Sequence, residues 1–116
     1  MNRQALPGLV VGHGTIGRLT ARLTVALGGN TLVWEINAAR RQGAQGYRVL
    51  APEESKGQRF RTIVDVSGHA ASLNDWVAHL APGGELVLAG FYTDPLAMNF
   101  VPAFLREARL RVAAQW

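Results

Sequence analysis

Residues Leu9 to Gly17 read LVVGHGTIG, and this stretch decides the fold. The apolar run Leu9-Val10-Val11 is typical of a short strand that is buried on both faces. From Thr15 the apolar period changes, and apolar side chains recur every three or four residues as far as Leu27. A helix of about three turns is therefore predicted, and it ends at Gly28-Gly29. The unit is strand, glycine turn, helix.

The turn between this strand and helix has the pattern G-x-G-x-x-G, formed by Gly12, His13, Gly14, Thr15, Ile16 and Gly17. The first glycine permits the tight turn, the second lets the backbone approach a pyrophosphate, and the third lets helix and strand pack closely. The helix N-terminus adds free amide donors and a partial positive charge. The motif predicts a dinucleotide site, in which His13 either contacts the cofactor or is a tolerated loop residue. A glycine turn needed only for chain reversal is the alternative.

The remaining chain alternates between strands and helical segments. Strands are predicted at 31–35, 47–50, 62–66, 85–89 and 109–113, and helical segments at 38–42, 73–80 and 102–107. This alternation predicts an α/β Rossmann fold, with a six-stranded parallel sheet in the order 3-2-1-4-5-6 and helices on both faces.

Three details of that reading are expectations about particular segments. The polar segment 51–60 is short for a crossover and leaves room for little helix. Pro82-Gly83-Gly84 is expected to end the helix that precedes it. His79 on that helix is expected at the surface, and the tryptophans are interpreted as packing residues: Trp34, Trp76 and Trp116.

An acidic side chain marks the end of the second predicted strand. Glu35 lies eighteen residues after Gly17, where a carboxylate accepts hydrogen bonds from the ribose hydroxyls of an adenosine and repels a 2′-phosphate. Glu35 therefore favours NAD over NADP, with an ordinary strand-end acid as the alternative. Arg40 and Arg41 follow closely and could hold a 2′-phosphate, but beside Glu35 they are expected to flank the adenine or to be solvated.

The fourth and fifth strands end in small residues. Ligands of open α/β sheets bind at the carboxyl ends of the strands, so Ser67-Gly68 and Gly90-Phe91 are candidates for lining the nicotinamide half, with small residues needed only for the turns as the alternative. Asp65, inside the fourth strand, is interpreted as a buried acid bonded to a nearby turn. Tyr92 is the nearest hydroxyl that could act as an acid, and no catalytic residue is assigned. The three histidines do not have metal-ligand spacing.

The amino-acid composition limits the classes of protein to which the chain could belong. With 116 residues, of which 48% are hydrophobic and 17% charged, the chain is predicted to form one domain. It has no cysteine, which excludes disulfides and cysteine-zinc sites. The net charge is +4, but the arginines are scattered without interleaved aromatic residues, so no nucleic-acid partner is expected. No apolar run is long enough for a transmembrane segment, and a cytoplasmic protein is expected.

The runs VVGHGTIG, LVWE, IVDVSG and LAPGGELVLAGFY together resemble the cofactor domain of the medium-chain dehydrogenase/reductase superfamily, over nearly the whole chain. Within it, VVGHGTIGRL, WEINAARRQGAQGY and PAFLREARLRVAAQW resemble members that oxidise the 1-hydroxyethyl group of a bacteriochlorophyllide, a tetrapyrrole, to an acetyl group. The resemblance implies NAD as cofactor, with a tetrapyrrole substrate in the full-length enzyme. It implies pyrophosphate contacts at Gly12, Gly14 and Gly17, a ribose contact at Glu35, and turns beside the nicotinamide at Ser67, Gly68, Gly90 and Phe91.

Members of this superfamily carry a separate catalytic domain that supplies substrate contacts and, in many, zinc ligands. Residues 1–116 are therefore interpreted as an excised dinucleotide-binding domain that is inactive alone, and a homo-oligomer is possible. Another medium-chain dehydrogenase, a stand-alone nucleotide-binding regulator and a methyltransferase-like domain remain alternatives. A methyltransferase also has a glycine loop after its first strand and an acid after its second, but six strands and a full G-x-G-x-x-G favour a dinucleotide.

Overall fold

The computed structural model describes residues 6–113, so Trp116 lies outside the described part of the chain. It contains six strands: β1 Leu9–Val11, β2 Leu32–Trp34, β3 Arg48–Leu50, β4 Phe60–Asp65, β5 Leu80–Leu88 and β6 Arg109–Val112. Three α-helices lie between them: α1 Thr15–Ala26, α2 Leu73–Ala78 and α3 Phe100–Leu105. Single 3₁₀ turns occupy Ala38–Arg40, Pro52–Ser55 and Ala70–Ser72.

The strands form one parallel sheet in the order β3-β2-β1-β4-β5-β6, which confirms the predicted Rossmann topology. The chain moves outward from β1 to β3 and then crosses back to β4, so strand order reverses between β1 and β4. Val11 pairs with Trp34 on one side and with Asp65 on the other. The turns that follow these three strands therefore meet at one edge of the sheet.

The sheet is covered on both faces, as predicted. The larger core joins alternate residues of the strands to helices α2 and α3, with Leu9, Ile63, Leu86 and Trp76 among its buried members. The smaller core lies under α1 and contains Val10, Ala21 and Val33. Trp34 and Trp76 are both almost fully buried, which confirms their interpretation as packing residues.

Helix α1 packs on the sheet through small and hydroxyl-bearing residues rather than through its leucines. Its buried positions are Gly17, Thr20, Ala21 and Thr24. Thr20 and Thr24 donate their hydroxyls to carbonyl oxygens one turn earlier in the helix, so burying them leaves no hydroxyl without a partner. The large apolar residues that revealed the helix are each roughly half exposed: Ile16, Leu19, Leu23 and Leu27.

The boundary between α2 and β5 differs from the prediction. Helix α2 ends at Ala78, and Leu80 already pairs with Phe60 as the first residue of β5. Pro82-Gly83-Gly84 forms an irregularity within β5 and does not end the helix. The pairing with β4, which is distant in sequence, outweighs the helical spacing of Leu80 from Trp76 and Val77. The segment 38–42, predicted as helical, contains only the 3₁₀ turn Ala38–Arg40, and the helical part of 51–59 is the 3₁₀ turn Pro52–Ser55.

His79 was expected at the surface, and that prediction is wrong. Its ring is buried and lies edge-on to the indole of Trp34, with the ring centroids 4.7 Å apart. Its Nδ1 lies 2.8 Å from the carbonyl oxygen of Asp75. Because His79 is the one residue between α2 and β5, it packs against Trp34 of β2 rather than lying at the surface.

Candidate functional site

A cavity of about 440 Å³ opens where the turns after β1, β2 and β4 meet. Volumes of this order are typical of ligand pockets, and open α/β sheets bind their ligands where strand order reverses. The cavity is lined mainly by residues of the glycine loop, of the segment after β2 and of the turn after β4: Gly12, Gly14, Thr15, Ile16, Gly17, Glu35, Ile36, Asn37, Arg40, Val66, Ser67 and His69.

The three glycines of the loop have three different surroundings. Gly12 has φ +109°, and a Cβ there would lie 3.1 Å from the backbone nitrogen of Ser67. At Gly17 a Cβ would lie 1.9 Å from the carbonyl oxygen of Gly12, so only glycine fits between helix and strand. At Gly14 a Cβ would meet no described atom within 4 Å. Gly14 is therefore the position at which the backbone is open to a ligand.

The N-terminus of α1 faces this cavity without competition from a side chain. Gly14 is its N-cap, and within the described residues no side chain caps the helix and no acidic residue lies in its first turn. The first amide groups of the helix and its positive dipole end are thus free for an anion, and Thr15 and Ile16 lie at the cavity wall. This arrangement suits a phosphate.

Glu35 directly follows β2 and is held in place by backbone donors. Its Oε1 accepts a hydrogen bond from the His13 amide at 2.8 Å, and its Oε2 accepts one from the Asn37 amide at 2.9 Å. The side chain is nearly buried but still lines the cavity. Each carboxylate oxygen can accept a second hydrogen bond, so the group can also receive two hydroxyl groups from a ligand.

The two arginines after β2 have separate positions. The Arg41 Nε donates to the Glu35 carbonyl oxygen at 2.7 Å, and its guanidinium also donates to the Ile36 carbonyl oxygen at 3.1 Å. Arg41 therefore supports the backbone beneath Glu35. Arg40 is exposed and lines the cavity, so it is the arginine that lies within reach of a bound ligand.

His13 was interpreted from the sequence as either a cofactor contact or a tolerated loop residue, and its side chain lies outside the cavity. The imidazole is fully buried, because it turns away from the cavity and packs edge-on against the ring of Tyr47 at 5.6 Å between centroids. Its two ring nitrogens contact the Arg40 carbonyl oxygen and the Tyr47 hydroxyl. Only the backbone of His13 remains beside the pocket, because its amide group donates a hydrogen bond to the Glu35 carboxylate.

Asp65, at the end of β4, connects the turns after β4 and β5. Its Oδ1 accepts from the amide and the hydroxyl of Ser67 at 3.0 and 2.6 Å, and its Oδ2 accepts from the Gly68 amide at 3.2 Å and the Tyr92 hydroxyl at 2.6 Å. Asp65 is fully buried, which confirms its interpretation as an acid bonded to a neighbouring turn.

Tyr92 is bound on both sides by this network. Its hydroxyl donates to Asp65 and accepts from the Gly90 amide at 3.2 Å. Burial, together with the hydrogen bond to Asp65 and its charge, raises the pKa of Tyr92 above its ordinary range. A phenol that keeps its proton more tightly is a poor general base near neutral pH, and this weakens the case for Tyr92 as a catalytic group.

The four residues expected beside the nicotinamide have different surroundings in the structure, and of these Ser67 lines the cavity together with the glycine loop. Gly68 and Gly90 instead pack on one another: a Cβ on Gly68 would lie 2.3 Å from the Phe91 carbonyl oxygen, and one on Gly90 would lie 2.6 Å from the Gly68 nitrogen. The Phe91 side chain is exposed and does not line the cavity.

Four cavity residues were not predicted from the sequence as site residues: Ile36, Asn37, Val66 and His69. Ile36 is largely exposed, and with Pro52 and Trp76 it also borders a smaller adjoining cavity of about 40 Å³. An apolar residue immediately after the strand-end acid is the signal that could have identified Ile36 as a wall for a flat ring. For His69, whose Nδ1 lies 2.7 Å from the Ser72 hydroxyl oxygen, no such signal is present.

Residues 6–113 contain neither a metal-ligand cluster nor a membrane-spanning helix. No three histidine, aspartate or glutamate side chains lie together as a metal site would require. No helix in this part of the chain has both the length and the apolar character needed to cross a membrane.

Comparison with curated proteins confirms the resemblance seen in the sequence. The chain is 55% identical over 112 residues to the 2-desacetyl-2-hydroxyethyl bacteriochlorophyllide A dehydrogenase of Cereibacter sphaeroides, and 56% identical over 113 residues to that of Rhodobacter capsulatus. These alignments cover 96% and 97% of this chain but only 35% and 36% of the relatives. The chain thus spans about a third of the length of these relatives.

Comparison with solved structures identifies the same fold. An alcohol dehydrogenase of Escherichia coli CFT073, solved in complex with NADH, superposes with a TM-score of 0.75 at 24% identity. The match covers 90% of this chain and 35% of that enzyme. No protein-family model matches the chain.

Proposed function

Starting from this likeness to the bacteriochlorophyllide dehydrogenases, we propose that the chain is the NAD-binding domain of an alcohol dehydrogenase. The observation that carries the proposal is the cavity in which an open Gly14, a free helix N-terminus and the carboxylate of Glu35 lie side by side. Pyrophosphate fits the first two and a ribose diol fits the third. The site residues are Gly12, Gly14, Thr15, Ile16, Gly17, Glu35, Arg40 and Ser67.

NAD is proposed over NADP because of the charge at the ribose position. Glu35 is fixed by two backbone amides and nearly buried, so it cannot swing away from a 2′-phosphate. Two negative groups in contact at that place are unfavourable, whereas two hydroxyl donors are favourable. Arg40 at the same cavity is the group that opposes this preference.

The proposed substrate is the hydroxyethyl tetrapyrrole that the names of the two relatives describe. Oxidising its secondary alcohol to a ketone transfers a hydride to NAD⁺ and releases a proton, leaving an acetyl group and NADH. The side chains of Asp65 and Tyr92 are hydrogen-bonded to one another, so neither is free to accept the carbinol proton. The proton acceptor and the substrate contacts are proposed to come from the other two-thirds of the parent enzyme.

The proposal is tested by ligand-induced stabilisation of the chain. A ligand that binds only the folded state at a hundred times its Kd adds about 2.7 kcal/mol to the free energy of unfolding. NAD should raise the melting temperature, NADP should raise it less at the same concentration, and S-adenosylmethionine should have no effect. Stabilisation by S-adenosylmethionine without stabilisation by NAD would replace the proposal by a methyltransferase-like domain. The cytoplasmic location and the homo-oligomer stay predictions.

A further inference from the structure

The buried imidazole of His13 joins two parts of the chain that are distant in sequence. His13 belongs to the glycine loop after β1, whereas its two partners, Arg40 and Tyr47, follow β2. The ring is fully buried, and both of its nitrogens have a partner. Its backbone amide meanwhile donates to the Glu35 carboxylate at 2.8 Å. One residue therefore touches both the acid and the arginine that line the cavity.

The partners define which ring nitrogen carries the proton. A carbonyl oxygen can only accept, so Nδ1 must donate to the Arg40 oxygen. In the neutral ring Nε2 then has a lone pair and accepts from the Tyr47 hydroxyl at 2.8 Å. The imidazole thus bridges two segments by hydrogen bonds. Its Nδ1 donates to the 3₁₀ turn Ala38–Arg40, and its Nε2 accepts from Tyr47.

The turn that His13 holds also bears on Glu35. Asn37 caps the turn by accepting from the Ala39 amide at 3.0 Å, and its own amide donates to Glu35 Oε2 at 2.9 Å. If the turn moves, the Asn37 amide and the exposed side chain of Arg40 move with it. The hydrogen bond from His13 to this turn therefore bears on the separation between the Glu35 carboxylate and the Arg40 guanidinium, which line the same cavity.

We propose that His13 is a positioning residue that sets cofactor selectivity, by fixing the turn Ala38–Arg40 so that Glu35 rather than Arg40 faces the ribose 2′ position. This inference rests on the proposed NAD site. Releasing the turn lets Arg40 approach a 2′-phosphate and weakens the hold on Glu35, so discrimination against NADP falls. The pyrophosphate contacts at Gly14 and the helix N-terminus are unaffected, because they involve backbone of the loop itself.

Two conservative variants separate the two halves of the bridge. In His13→Asn the side-chain amide can donate from nearly the position of Nδ1, so the bond to the Arg40 carbonyl oxygen is kept and that to Tyr47 is lost. In His13→Gln the longer side chain reaches toward Tyr47 and the donor at the Nδ1 position is lost. His79→Asn is the matched control, because His79 is also buried and packs edge-on against an aromatic ring but lies outside the cavity.

The experiment measures Kd for NAD, NADP and adenosine diphosphate ribose by calorimetry, with circular dichroism as a check of folding. Loss of one hydrogen bond worth about 1 kcal/mol corresponds to about a fivefold change in Kd. His13→Gln should lower the ratio of the NADP to the NAD dissociation constant by about fivefold to tenfold, whereas His13→Asn should stay within about twofold of the unmodified chain. The His79→Asn variant should lose stability without a change in that ratio.

Other outcomes separate this inference from the function on which it rests. If the unmodified chain binds NAD more tightly than NADP and His13→Gln keeps the same ratio, the role of His13 is wrong and the NAD site stands. If the unmodified chain binds no dinucleotide, the proposed function fails and the inference fails with it. Should His13→Gln not fold, His13→Leu removes both ring hydrogen bonds, including that to the Arg40 carbonyl oxygen, with a side chain of similar size, and an unchanged ratio in that variant would equally overturn the role of His13.

Discussion

Replacing two glycines of the same loop should have opposite effects on stability and on binding. Gly17→Ala places a Cβ 1.9 Å from the Gly12 carbonyl oxygen and 2.7 Å from its carbon, so helix α1 or the loop must move by about 1 Å. Gly14→Val places its side chain in open space, and Gly14 has φ −84° and ψ −160°, an extended conformation that valine can adopt.

The two replacements should lower the free energy of unfolding by different amounts. Overpacking against backbone typically costs about 1–3 kcal/mol and can cost more, and in Gly17→Ala no flexible side chain can yield. We expect a loss of at least about 3 kcal/mol, which for a domain of this size lowers the melting temperature by at least about 10 °C. Valine is a poorer helix N-cap than glycine, so Gly14→Val should lose only about 0.5–1 kcal/mol.

Binding should follow the reverse order. The valine side chain of Gly14→Val fills the space that the pyrophosphate needs beside the helix N-terminus, so NAD binding should weaken by at least about a hundredfold, or roughly 2.7 kcal/mol. Thermal unfolding followed by circular dichroism measures stability, and calorimetry with NAD measures affinity. An unchanged Kd in a folded Gly14→Val variant would refute the phosphate site. A Gly17→Ala variant as stable as the unmodified chain would refute the packing argument.

Three further predictions concern the carboxylate, the tyrosine and the chain as an enzyme. Glu35→Ser should narrow the preference for NAD over NADP by about 1–3 kcal/mol, and tighter binding of NADP by the unmodified chain would contradict the role of Glu35. Because the pKa of Tyr92 is raised in the folded state, its contribution to stability is complete below about pH 10 and declines as the pH rises further, so the chain should lose stability in alkali more steeply than its Tyr92→Phe variant in denaturant titrations. The chain alone, mixed with NAD and a hydroxyethyl tetrapyrrole, should give no acetyl product, and turnover that Tyr92→Phe abolishes would make Tyr92 catalytic.

The glycine motif and the apolar runs were enough to predict the sheet and its strand order. A parallel strand covered on both faces is apolar throughout, so β1 and the end of β5 could be predicted from uninterrupted runs of apolar residues. The start of β5 could not be predicted, because Leu80 lies four residues after Trp76, which is helical spacing. Its strand partner, Phe60, lies twenty residues earlier in the sequence. Pairing between segments far apart in sequence leaves no local signal.

The buried positions of the His13 and His79 side chains were not predicted, and the reason is the same for both. A histidine in a loop or at a helix end is exposed in most surroundings, and only its partners decide otherwise. Those of His13 lie 27 and 34 residues away, and the indole that packs on His79 belongs to β2. By contrast, the place of Glu35 followed from the period of the fold, since the end of β2 always borders the turn after β1.

Two buried carboxylates at the ends of β2 and β4, the strands on either side of β1, show how the site separates support from recognition. A carboxylate has about four places at which it can accept a hydrogen bond. Asp65 accepts four from Ser67, Gly68 and Tyr92, so it is saturated and holds two turns together. Glu35 accepts only two among the described residues, both from backbone amides that fix its direction, and it borders the cavity. A nearly buried carboxylate with half of its acceptor capacity unused is stabilised by a ligand that brings two donors, and a ribose diol is such a ligand.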